Sequence, residues 1–166
     1  VIARTAAEAE RLAVALTTTS LPPAVQVWLT ATEHHNLVVA SVGGHPPALP
    51  SLTAEERDLL SHQVKSLSEI LRPARDRGPE LEIEVAKLFA AFNVYTGDEG
   101  KLKAQVLVWC EELEEFPLFA IRKAAKWSVR GCQKLPSLAA FIADVRLAIG
   151  SGVLERARLL EFLSKS

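Results

Sequence analysis

The residues of this 166-residue chain that could do chemistry are four histidines, two cysteines, a cluster of glutamates and a run of cations. Two imidazoles share one helix face, and so one metal ion, when they stand three or four residues apart. Neighbouring His34 and His35 point to different faces, and no cysteine stands near them, His45 or His62 in sequence. These histidines read as surface or helix-end residues, and no metal site is expected. Cys110 and Cys132 form no CxxC pair and read as reduced thiols. The stretch TGDEG at 96–100 lacks the GxxxxGK[ST] pattern of a phosphate loop, and its acids repel phosphate. It reads as a turn between helices. No nucleophile elbow, kinase signature or dinucleotide fingerprint occurs. The chain is expected to be non-enzymatic, with no catalytic residue and no cofactor.

Charge segregation is the sharper signal. Residues 80–115 carry nine acids and three bases, whereas residues 116–134 carry five bases and no acid. Arg122, Lys126 and Arg130 recur every four residues and form one basic stripe, flanked by Lys123 and Lys134. Two readings of the stripe compete. It either faces water and neutralises the neighbouring acidic helix, or meets a phosphate backbone or an acidic partner. Trp127 lies beside it and could stack on a base, but its position three residues after Ala124 assigns it to the core. Glu111, Glu112, Glu114 and Glu115 gather at the C-terminal end of a helix, where the dipole disfavours negative charge. An acidic contact surface for a protein partner is one reason to tolerate that cost, and helix–helix ion pairing is another.

The elements that must position these residues are all helical. The Ala- and Glu-rich residues 4–17 form a first helix. Pro22 and Pro23 open a second, which runs through Trp28 to about His34. NLVVASV at 36–42 has β-propensity but nothing to pair with. VGGHPPALP at 42–50 cannot continue a helix and reads as a linker. Thr53 and Glu56 have capping-box spacing, and Leu60, Val64, Leu67 and Leu71 form the stripe that follows. RPARDRGP at 72–79 reads as a second, basic linker.

Beyond residue 80 the pattern sharpens. Leu81, Val85, Leu88, Phe92 and Tyr95 define one helix, with Gly97 placed to cap it. Leu102, Val106, Trp109, Leu113 and Phe116 define the next. Pro117 opens a third, with Leu118, Ile121, Ala124, Ala125 and Ser128 inward and Gly131 at its end. Ser137 opens a fourth, carrying Leu138, Phe141, Ile142, Val145 and Ile149. After GSG at 150–152, Val153, Ala157, Leu160 and Leu163 make a last short helix. The expected fold is all-α, an antiparallel bundle of six to eight helices. It divides into an N-terminal helical segment with its linker at 1–50, a connecting helix and basic linker at 51–79, and a bundle module at 80–166.

A chain of this length buries enough surface to need no disulfide or metal staple. Its composition, 49% hydrophobic and 23% charged, is that of a soluble globular protein. A net charge of −1 excludes nucleic-acid binding by the molecule as a whole and confines it to a local patch. No apolar run approaches the ~20 residues of a membrane span. The first twenty residues lack a signal peptide's apolar core, so a cytoplasmic location is expected, without membrane attachment. The chain contains no Met, so its initiator is expected to have been removed or to lie upstream.

Residues 80–147 also show a pattern of apolar residues and punctuation: Ala91-Phe92 ending one helix, Trp109 and Leu113 in the next, Ala120 and Ala124 in PLFAIRKAAKWSV, then Pro136-Ser137 in KLPSLAAFIADVR. This pattern resembles the helical domain of phage replicative-helicase loader/inhibitor proteins and related prophage replication proteins. The resemblance implies a non-enzymatic DNA-replication accessory protein that binds a replicative helicase or another replisome component. Two other classes stand beside it. One is a nucleic-acid-binding regulator using Arg122, Lys126 and Arg130. The other is a structural or homo-oligomerising adaptor that buries the last helix, with Leu160 and Leu163, or the Trp28 helix against a copy of itself.

Overall fold

The structure, a computed structural model, describes residues 6–17, 20–39, 44–94, 97–150 and 152–166. Among them are eight α-helices and one 3-10 turn, an all-α helical bundle. The helices are α1 (Ala6–Thr17), α2 (Pro23–Val39), α3 (Ala54–Ile70), α4 (Gly78–Ala91), α5 (Glu99–Leu113), α6 (Leu118–Gly131), α7 (Leu138–Ile149) and α8 (Val153–Ser164), with the 3-10 turn at Ala74–Arg77. Tyr95, Thr96, Ser151 and residues 40–42 of the β-prone stretch lie outside the described residues.

Local chemistry sets most of the ends. At α3 the Thr53 N–H donates to Glu56 Oε2 (2.8 Å) and the Glu56 N–H to Thr53 Oγ1 (3.2 Å), the reciprocal bonds of a capping box. Asp98 caps α5 by accepting from the N–H groups of Gly100 and Lys101. Ser137 caps α7 by accepting from the Ala140 N–H at 3.2 Å. Two boundaries differ from the sequence expectation. α2 runs on to Val39: among the described residues there is no strand for the stretch after His35 to pair with, and it continues the helix. α4 ends at Ala91 rather than near Gly97. Asn93 there takes a left-handed φ of 51°, its N–H donates to the Ala90 carbonyl, and the Val94 N–H reaches the Phe89 carbonyl. Those two bonds close the helix as a Schellman motif with Asn in the usual glycine position.

Contacts gather the chain into two compact units. One holds residues 12–69 together with 152–166; the other holds residues 70–151 and the first turns of α1. In the first, Arg156 of α8 donates two bonds to the Glu33 carboxylate of α2, one of them Nη2 to Oε2 at 2.8 Å, and a third to the Thr17 carbonyl. That carboxylate holds the guanidinium pKa above its ordinary value. Trp28, Leu160 and Leu163, the residues proposed from the sequence as an oligomerisation face, are all buried within the chain. Val27 on α2 and Leu154 and Phe162 on α8 are exposed instead.

The second unit is built on α4 to α7. Trp109 stands at its centre, edge-on to Phe89 (centroids 5.2 Å, 88°) and tilted against Phe141 (5.3 Å). Such contacts add roughly 0.5–1.5 kcal/mol each beyond simple burial. Ala120, Ala124 and Ser128, spaced by four, form a buried small-residue seam that brings α6 close to its neighbours. The basic segment 72–79 is docked. Ala74 is buried, its N–H donates to the Phe116 carbonyl and the Arg75 N–H to the Glu114 carbonyl, both at 2.9 Å. These bonds fix the α5–α6 turn and satisfy two of its backbone carbonyls.

Candidate binding surface

α6 has a sharply divided circumference. Leu118, Ile121, Ala124 and Ser128 are buried, while Lys126, Trp127, Val129 and Arg130 are exposed. Trp127, assigned to the core from its spacing, is 40% exposed, unlike the buried Trp28 and Trp109. The geometry of a helix explains the difference. With about 100° per residue, Trp127 stands a quarter turn away from Ser128, on the flank shared with Lys123, and not behind Ala124. The Lys123 ammonium lies 5.1 Å from the Trp127 ring centroid, within cation–π range.

The five cations expected to act together have different roles. Arg122 is held by α4, its Nε donating to Glu84 Oε1 at 3.1 Å and its Nη2 lying 3.6 Å from Glu80 Oε2. It neutralises acidic residues of its own chain. Lys126, Arg130 and Lys134 are exposed and make no ion pair among the described residues. The structure therefore offers an exposed indole on a helix that contains no carboxylate, with Lys126 and Arg130 on the same helix and Lys134 three residues past its end.

Glu111, Glu112, Glu114 and Glu115 are exposed at the end of α5, likewise without an ion pair among the described residues. Leu107 and Val108, each about half exposed, lie beside them on the outer side of α5. The C-terminal end of α5 and the outer face of α6 thus carry opposite charge, each with exposed apolar side chains, while Lys101 and Lys103 are exposed nearer the start of α5.

The remaining candidates are scattered. His34, His45 and His62 are exposed, and His35 is half-buried. Among the described residues no group of three His, Cys, Asp or Glu side chains could hold a metal ion. Both cysteines are free; Cys132 is exposed, whereas burial, reinforced by the Glu82 charge, pushes the Cys110 thiol up. No helix among the described residues is long and apolar enough to cross a membrane. No family model, curated protein or solved structure matches the chain.

Proposed function

We propose that the protein is a non-enzymatic nucleic-acid-binding accessory protein that holds single-stranded DNA or RNA on the outer face of α6. The observation that carries this reading is Trp127, exposed on a carboxylate-free helix with Lys126 and Arg130, exposed cations that make no ion pair among the described residues, and with Lys134 just past the helix end. An aromatic face stacks on any unpaired base and is worth roughly 1–3 kcal/mol per base. Duplex DNA hides that face in its own stack, so the indole favours single strands. Three cations on phosphates add a modest electrostatic contribution with little sequence preference.

The three tryptophans make the test direct. Trp28 and Trp109 are buried, so a stacked base quenches Trp127 alone. Titration with a single-stranded oligonucleotide should quench part of the tryptophan emission in the wild-type protein and none in Trp127→Phe. Equal quenching in the two proteins would remove the indole from the site.

A second reading places the protein in phage or prophage DNA replication, with a replicative helicase or another replisome component as protein partner. It is supported by the resemblance over residues 80–147 and by the exposed acids at 111–115, which find no cation within the described chain. Affinity capture on the purified replicative helicase tests it, and Glu111→Lys with Glu112→Lys should weaken the capture. Retention equal to that on a control resin would end this reading.

A further inference from the structure

We infer that the outer face of α5 is a docking surface for the α6 face of a second copy of this chain. Two sets of charges on neighbouring helices are left without partners. Glu111 and Glu112 are exposed and unpaired among the described residues, as are Lys126 and Arg130 on the next helix. The one α6 arginine that is neutralised turns to α4 and not to α5. The two opposite charge sets therefore remain available to other molecules.

The two faces also match in form. On α5, Leu107 and Val108 precede Glu111 and Glu112 by one helical turn; on α6, Lys126 and Arg130 form a stripe with Trp127 on one flank and Val129 on the other. Crossing the two helices along the Trp127 flank would cover apolar surface on both sides and set Glu111 and Glu112 against Lys126 and Arg130. Charge complementarity of this kind fixes register and speeds encounter more than it adds affinity. One helix pair buries less than the ~1,200 Å² of a stable interface, so the contact is weak, reversible and salt-sensitive. The donor and acceptor surfaces differ, so the pairing either closes as a two-fold dimer that makes the α5–α6 contact twice, or leaves one acidic and one basic face free on each added copy and continues.

The inference stands apart from the nucleic-acid reading, because it is measured on nuclease-treated protein with no nucleic acid present. Sedimentation velocity of the full chain over a range of concentrations should show mass rising with concentration at low salt and falling to the monomer at high salt. Lys126→Glu with Arg130→Glu leaves two acidic faces, and Glu111→Lys with Glu112→Lys leaves two basic ones. Each variant alone should stay monomeric, and an equimolar mixture should regain a heterologous complex. A wild-type monomer at every concentration and low salt would overturn the inference. Association that persists in either variant alone would do the same, as would a mixture of variants with unchanged helical circular dichroism that stays monomeric.

Discussion

Arg122→Ala separates the cation that holds the fold from those that serve the surface. Arg122 bonds Glu84 at 3.1 Å and lies 3.6 Å from Glu80; Glu84 is largely buried, while the arginine is itself a little more than a third exposed. Solvent screening keeps such a pair near the surface range, about 0.2–1 kcal/mol. Removing the guanidinium leaves the Glu84 carboxylate with only the ammonium of Lys87, 3.5 Å away. The expected loss is therefore close to the top of that range, about 1 kcal/mol. In a unit of this size such a loss lowers the melting temperature by roughly 4–8 °C. The assay runs thermal circular dichroism beside oligonucleotide titrations at several salt concentrations. Arg122→Ala should lower Tm by a few degrees and leave the salt dependence of binding unchanged, and Glu84→Gln should do the same. An unchanged Tm together with a shallower salt dependence would place Arg122 on phosphate and refute the division of roles.

Two further outcomes follow from local geometry. Asn93→Val should cost about 1–2 kcal/mol, because a β-branched residue resists the left-handed φ of 51°, whereas Asn93→Gly should be nearly neutral; urea melts of both variants check the contrast. Cys132 should react with iodoacetamide well before Cys110. The raised Cys110 pKa means fewer thiolates at any given pH, so its labelling rate should rise only above the ordinary thiol range, as peptide mapping across pH would show.

Helix identity was legible where the deciding interactions were local. Thr53 with Glu56 and Ser137 with its own first turn announced their caps within four residues, and the structure makes those bonds. The stripes of α5 and α7 correctly placed Trp109, Leu113, Phe141 and Val145 in the core. Phe89 was missed because the buried face of α4 is wide enough to take both Leu88 and Phe89, whereas a simple stripe takes only the first. α4 stops before Gly97 because Asn, like Gly, can enter the left-handed region.

The candidate surface was legible in composition but not in detail. The acid-free run at 116–134 spans α6 and the turns that flank it. Which cations remained available depended on Glu84, 38 residues from Arg122. Trp127 was misplaced because spacing from one inward residue, Ala124, does not define a face; Ser128, one residue on, shows which side is inward. The basic segment 72–79 reads as a linker by composition, yet backbone bonds to Phe116 and Glu114 tie it down, and no side-chain pattern records such bonds.

The most direct test of the central claim is the salt dependence of binding to a single-stranded oligonucleotide, for the wild-type protein and for Lys126→Ala with Arg130→Ala. Three phosphate contacts through Lys126, Arg130 and Lys134 predict a log–log slope of about −2, which is roughly a twentyfold loss of affinity for a fourfold rise in salt. The double variant should bind more weakly, with a slope shallower by about 1.4. Equal affinity and slope in the two proteins, or no binding by the wild type at low salt, would contradict the account.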